Sequence, residues 1–162
     1  MINSKISIVK LGPDEWQKYK RIRLETLKAE PKAFNSTYDE SLTYPSVYWK
    51  EKLGNNNNLF AFAKDNKKII GIMNLTIGEE GETDETAVIH GAYVNQNYRG
   101  QGVGKSLLNY LLEEVKKNDE IKLLKLWVKD TQITAKRLYE SMGFEFTVKA
   151  GEHTSIMEKR LK

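Results

Sequence analysis

The 162-residue chain contains no cysteine. Disulfides, thiolate metal sites and a cysteine acyl-enzyme are thereby excluded. Histidine is nearly as scarce. His90 and His153 fall in separate segments and have no thiolate to join them, so they make no metal-ligand cluster and no metal is expected. No apolar run reaches the roughly 20 residues that span a bilayer. The first ten residues, with Ile6 and Ile8 alternating against polar neighbours, lack the apolar core of a secretory signal. Neither sign of charge prevails: the net charge is +4, spread along the chain without a continuous basic face. That pattern does not favour nucleic acid as a partner. A cytoplasmic protein, with neither membrane nor nucleic acid as partner, is expected.

What is present suits a globular protein, with 40% hydrophobic and 30% charged residues. The length suits one domain over residues 1–162. Residues 6–10 read as a strand. Gly12-Pro13-Asp14 reads as a helix start with Asp14 as N-cap. Trp16, Tyr19, Ile22, Arg23 and Leu27 keep helical spacing until Pro31 ends it. Residues 32–38 follow as a loop, and 46–53 as a second helix. Residues 59–63 and 68–77 form strands joined by a turn at Asp65-Asn66. The acidic loop 78–85 is either a solvated surface or an attractor for a cationic molecule.

Residues 87–94 form a short apolar strand. It runs into Arg99-Gly100-Gln101-Gly102-Val103-Gly104-Lys105-Ser106, a glycine-rich basic loop that opens a helix. That helix carries Val103, Leu107, Leu108, Leu111, Leu112 and Val115 on one face, and Lys105, Asn109, Glu113, Lys116 and Lys117 on the other. First-turn N–H groups lack intrahelical partners and sit at the positive end of the dipole. Glycines let that backbone approach an anion closely, so the unit reads as a phosphate cradle. Spacing removes two nucleotide loops. A Walker loop ending in Gly104-Lys105-Ser106 needs glycine where Arg99 stands, and a dinucleotide fingerprint beginning at Gly100 needs glycine where Lys105 stands.

Gly91, inside the strand, marks either a bulge or a small residue beneath a bulky neighbour. Residues 123–128 form the next strand, and the crossover helix between the two implies a parallel pair. A helix over 131–141 presents Ile133, Ala135, Leu138 and Tyr139 as inward positions and stops with Gly143 at C′. Residues 144–149 and 154–161 close the chain as a hairpin around Gly151.

The remaining pattern, Arg99-x-x-Gly102-x-Gly104 directly after Tyr93-Val94, resembles the pyrophosphate loop of the GNAT superfamily of acetyl-CoA-dependent N-acetyltransferases. Two further segments resemble the same family. One is Arg21-Ile22-Arg23-Leu24 through Pro31, Ala33-Phe34 and Glu40, which in the family covers the acceptor side of the cleft. The other is Val128-x-x-x-Gln132-x-x-Ala135-x-x-Leu138-Tyr139-x-x-x-Gly143-Phe144, where the family usually has Asn in place of Gln132. The resemblance implies an α+β fold, an α/β three-layer sandwich. Its mixed, mostly antiparallel sheet would have about seven strands, about four flanking helices and a splayed central parallel pair.

The resemblance also implies direct transfer of an acetyl group from acetyl-CoA to a primary amine. Ala92, Tyr93 and Val94 would pair with the pantetheine arm like an added strand, with the Val94 N–H as oxyanion donor. Gly100, Gln101, Gly102, Val103, Gly104, Lys105 and Ser106 would hold the pyrophosphate, with charge from Arg99 and Lys105. By position alone, Lys105 and Ser106 equally suit water-exposed first-turn residues. Gln132 has the donor and acceptor set of the usual Asn on a longer stem. Tyr139 falls where the family keeps its general acid, although the residues alone also fit a core tyrosine beside Leu138. His90, four residues before Val94 and on the same face by the two-residue period unless a bulge at Gly91 shifts the register, is the candidate base, with Glu40 and Glu85 as rivals. The acceptor would be a small-molecule or peptide amine, and many relatives are homodimers. The alternative is a non-catalytic acyl-CoA-binding or regulatory protein on the same fold, which would keep the loop but need no Tyr139.

Overall fold

The computed structural model describes residues 5–161. Residues 1–4, the start of the segment read for a targeting signal, and residue 162 lie outside them. Seven strands form one sheet: β1 (Ile6–Val9), β2 (Asn58–Asp65), β3 (Lys68–Ile77), β4 (Thr86–Val94), β5 (Leu123–Lys129), β6 (Glu145–Lys149) and β7 (Thr154–Arg160). Their order is β1-β2-β3-β4-β5-β7-β6. Neighbours run antiparallel except β4 and β5, which are parallel. The helices are α1 (Trp16–Ala29), α2 (Tyr38–Leu42), α3 (Ser46–Gly54), α4 (Val103–Lys116) and α5 (Ile133–Ser141).

The extra helix beyond the four expected is α2, which takes up the end of the segment read as a loop. The Thr37 hydroxyl accepts the Glu40 N–H at 3.2 Å and satisfies one orphan donor of its first turn. Asp14 is not a cap. Pro13–Glu15 form a 3₁₀ turn ahead of α1, and it is the Glu15 carboxylate that accepts the Gly12 N–H at 3.2 Å.

Alternation along the strands feeds two cores, one on each face of the sheet. On one face α4 buries Val103, Leu107, Leu108, Leu111, Leu112 and Val115 against Met73, Leu75, Ala87 and Ile89. On the other, Tyr19 and Ile22 of α1 and Trp49 of α3 pack on Phe60, Phe62, Ile72 and Tyr93. Each fully buried leucine of α4 contributes about 1.5–3 kcal/mol through burial, so truncating Leu108 to alanine would cost about 2–5 kcal/mol. Helices on both faces give the three-layer sandwich, and the sheet is mostly antiparallel with one parallel pair.

That pair holds together only briefly. β4 and β5 register at Thr86 with Leu123, Ala87 with Leu124 and Val88 with Lys125, and beyond Val88 they separate. β4 also bulges against β3. Ile72 stands opposite Tyr93 and Asn74 opposite His90, so Gly91 and Ala92 together face Met73. Gly91 has φ +60°, a conformation that favours glycine.

The bulge corrects one expectation. Ala87 and Ile89 belong to the α4 core before it, and Ala92 and Val94 pack against that core after it. One extra residue has inverted the alternation. His90 therefore shares a face with Tyr93, toward α1, and not with Val94. In α5, Ile133 is 57% exposed rather than inward, whereas Tyr139 is buried.

Candidate active site

A cavity of about 1180 Å³ opens where β4 and β5 part. It touches Gly91 and Ala92 on β4, Leu126 and Val128 on β5, and Gln132 and Tyr139 at α5. It continues to Arg23, Phe34 and Tyr48 on the α1–α3 side, and to Glu79, Glu80 and His90. One space thus joins the two faces of the sheet through the gap.

The end of β4 presents its backbone to this gap. Asn95 donates its N–H to the Ile70 carbonyl at 2.8 Å, which closes the ladder on the β3 side. By the alternation of an antiparallel ladder, the N–H and C=O of Val94 turn to the opposite edge. The Val94 carbonyl accepts from Arg99 Nε at 2.8 Å. Arg99 also pairs with Glu30 at 3.1 Å, and its guanidinium lies 5.7 Å from the Tyr93 ring centroid. The Tyr93 hydroxyl and the Asn95 amide both donate to Glu25, at 3.0 and 3.1 Å. These contacts strap the end of β4 and the start of the loop to α1. Arg99 is thus turned toward the strand.

Gly100 and Gly102 adopt φ +76° and +82°, and Gly102 is the N-cap of α4. The first intrahelical bond runs from the Ser106 N–H to the Gly102 carbonyl at 3.0 Å, so the N–H groups of Val103, Gly104 and Lys105 precede the ladder. A Cβ on Gly104 would lie 3.3 Å from Leu138, which explains why α4 and α5 approach closely there. Lys105 is exposed and makes no ion pair among the described residues. Gln101 reaches back to the Asn97 carbonyl at 3.5 Å, and Ser106 is half-buried.

Gln132 stands at the start of α5. Its side-chain oxygen accepts the Lys129 N–H at 3.3 Å, which leaves its amide N–H groups for the cavity. Tyr139 is 6% exposed and packs edge-to-face on Phe144 with ring centroids 5.8 Å apart. Phe144 N–H donates to the Tyr139 carbonyl at 3.0 Å and Gly143 N–H to the Glu140 carbonyl at 3.1 Å, a Schellman motif with Gly143 at φ +91°. This stop fixes the backbone that carries Tyr139. Burial pushes the phenol up to about 12.

The imidazole Nε2 of His90 lies 3.0 Å from a Glu79 carboxylate oxygen. Glu79 comes from the acidic loop, and only the β3–β4 fold-back brings it to β4. The rivals Glu40 and Glu85 do not line the cavity. Sequence reading missed Glu79, whose sole signal was membership of an acidic run. Arg23 was read at helical spacing and within the segment that the resemblance sets over the acceptor side of the cleft, with no role of its own, and it reaches the cavity. His153 sits at the β6–β7 turn beside Glu152, outside the cavity. Among the described residues, no group of three His, Asp or Glu side chains is placed to hold a metal ion. No helix among them is long and apolar enough to cross a membrane.

The acetyltransferase (GNAT) family profile matches residues 19–144. An uncharacterized N-acetyltransferase of Methanocaldococcus jannaschii is 27% identical over 116 residues, covering 70% of this chain and 51% of that protein. The chain therefore spans about half the length of the curated relative it matches. Among solved structures, an acetyltransferase of the GNAT family from Streptococcus pneumoniae superposes with a TM-score of 0.82 at 18% identity, over 97% of this chain and 99% of that one. The PaiA N-acetyltransferase of Thermoplasma acidophilum, in complex with coenzyme A, gives 0.74 at 23% identity, over 96% and 98%. At these identities the two structures share the fold.

Proposed function

The chain belongs to the acetyltransferase (GNAT) family, and on that premise we propose that it moves an acetyl group from acetyl-CoA to a primary amine within the splayed gap. The observation that carries this reading is the β4 edge. Beyond Val88 it has no partner on β5, and it borders a cavity that also reaches Tyr139. An extended pantetheine arm fits such an edge as an added strand along Ala92, Tyr93 and Val94. A structural relative solved with coenzyme A supports the choice of donor.

When bound, acetyl-CoA supplies a thioester carbonyl open to attack by an amine. Gly100 to Gly104 leave backbone N–H groups at the α4 N-terminus for the pyrophosphate, and the unpaired Lys105 adds a cation. Ser106 borders that first turn. Arg99 holds the carbonyl of Val94, which fixes the peptide plane at the strand end. The Val94 N–H, turned to the gap, meets charge developing on an oxygen there. Gln132 offers amide donors beside the same edge.

His90 takes up the proton of the incoming ammonium, and Glu79 orients the ring. Tyr139 gives a hydrogen bond, and then its proton, to the departing sulfur, and its phenolate regains a proton as the acylated nitrogen sheds its second one. A phenol near 12 stays protonated across physiological pH, so the donor is always ready, although it is a weaker acid than an unburied one. The absence of cysteine agrees with direct transfer.

The test is release of free CoA thiol from acetyl-CoA with a panel of amine classes. Thiol release that depends on one class supports the proposal. Tight acetyl-CoA binding without turnover for any amine would favour a non-catalytic acyl-CoA-binding protein instead.

A further inference from the structure

One charged side chain in the cavity has no role in that chemistry. Arg23 lies on α1 and borders the space shared with His90 and Glu79. Its guanidinium sits over the Phe34 ring, 4.9 Å from the centroid. The ring covers a face of the guanidinium and leaves its donor edge uncommitted. Glu51, Glu79 and Glu80 also line the cavity, and neither they nor any other described carboxylate forms an ion pair with Arg23. Burial lowers its proton affinity from the usual arginine value, and only the phenols of Tyr19 and Tyr48, with no facing carboxylate, act against that effect.

Arg23 is half-buried, and a cation partly withdrawn from water without a partner is costly unless a ligand completes it. Arginine's planar fork matches a carboxylate through two parallel hydrogen bonds. Gly91 stands beside it. A Cβ there would lie 3.5 Å from Arg23 Nη1, so the guanidinium borders the β4 bulge, next to His90 in the chain. The cavity therefore offers a base and the acidic side chains Glu51, Glu79 and Glu80 to an amine, and to an anion the unpaired Arg23 beside the bulge, with Lys52 and Lys129 elsewhere on its wall.

We propose that Arg23 binds a carboxylate of the acceptor, so that the acceptor is an amine of the amino-acid class rather than a polyamine or an aminoglycoside. This rests on the acetyltransferase reading above. Carboxylate and amine are bound in one cavity, with the amine toward His90 and the carboxylate toward Phe34. Arg23 selects the substrate and takes no part in proton transfer.

The experiment compares matched acceptors: L-amino acids, their carboxamides, the corresponding decarboxylated amines, and dipeptide amides with Asp or Glu as the only acid. Wild type is run beside Arg23→Gln and Arg23→Lys. The acid is expected to exceed its carboxamide in kcat/KM by at least about tenfold, mainly through KM. The ratio is expected to fall toward one in Arg23→Gln and to survive in part in Arg23→Lys. Preference for free amino acids over the acidic dipeptides would place the carboxylate next to the amine, and the reverse would place it on a side chain. Because the charge is unpaired in the free protein, Arg23→Gln is expected to keep or raise Tm.

Equal use of carboxamide or decarboxylated amine by wild type would overturn the proposal. So would a ratio that persists in Arg23→Gln, or a lowered Tm with the ratio intact. If no amine is turned over, calorimetric titration of the acid and carboxamide in the presence of CoA reads the contact directly, and equal or absent binding of both overturns it. Titration of acetyl-CoA alone tests the acetyltransferase reading separately, because Arg23 lies away from the glycine loop.

Discussion

His90 Nε2 stands 3.0 Å from Glu79, and the β-bulge at Gly91 determines which face of the sheet that pair occupies. If the pair accepts the amine proton, His90→Gln should lower kcat/KM by about 10²–10⁴-fold and flatten the acidic limb of its pH profile. Glu79→Gln should lower kcat/KM less and keep a limb, because Glu79 orients the ring without taking the proton. An unaltered acidic limb in His90→Gln would remove His90 from the role.

The bulge itself can be tested. At φ +60° an alanine in place of Gly91 is strained, and its Cβ would lie 3.0 Å from Asn74 Oδ1. Gly91→Ala should lower the unfolding free energy by about 1–2 kcal/mol. It should also raise KM for the acceptor more than KM for acetyl-CoA. Urea denaturation and separate KM measurements check both, and unchanged stability would contradict the conformation assigned to the bulge.

Two cations of the loop should behave differently. Lys105 has no protein partner, so Lys105→Ala should raise the acetyl-CoA KM about three- to tenfold, with an effect that shrinks as salt is added. Arg99 is tied to Val94 and Glu30. Arg99→Ala should therefore lower kcat as well, by releasing the end of β4. Its cost in stability should stay within about 1 kcal/mol, because the ion pair is half-exposed. An Arg99→Ala enzyme with altered acetyl-CoA KM and normal kcat would assign Arg99 to the phosphates alone.

Alkaline stability follows from Tyr139. Its folded-state value, about 12, lies above the ordinary 10 of an unfolded tyrosine. The stability tied to this proton is fully present below about pH 10. It is lost as pH rises toward 12, because the unfolded chain releases the phenol proton first. The difference is worth ~3 kcal/mol. Tyr93 is also pushed up to about 12, chiefly by burial and then by its bond to Glu25. Thermal melts from pH 9 to 12 (a span set by these two values) should show a falling Tm, and Tyr139→Phe should reduce the fall without abolishing it.

Much of the fold was legible because its signals are local. Lys68–Ile77 was read as a strand to the residue, and all six apolar positions assigned to the α4 face are buried. Gly143 takes the helix-stop role its position suggested. The brief pairing of β4 with β5 matches what the family resemblance implied. Features that depend on register or on distant chain were not legible. His90 changed faces because one extra residue at Gly91 inverts the alternation, and the sequence left the bulge open. Glu79 and Arg23 meet His90 in one cavity only through folding of separate segments. Ile133 kept a helical period but lies where no layer covers α5.

In the proposed reaction Tyr139 protonates the sulfur that departs when acetyl-CoA gives up its acetyl group. This step is tested most directly by steady-state thiol release in wild type and Tyr139→Phe at saturating acetyl-CoA and acceptor. A kcat about 10²–10⁴-fold lower in the variant is expected, with the acetyl-CoA KM changed by less than about threefold. An unchanged kcat would contradict it.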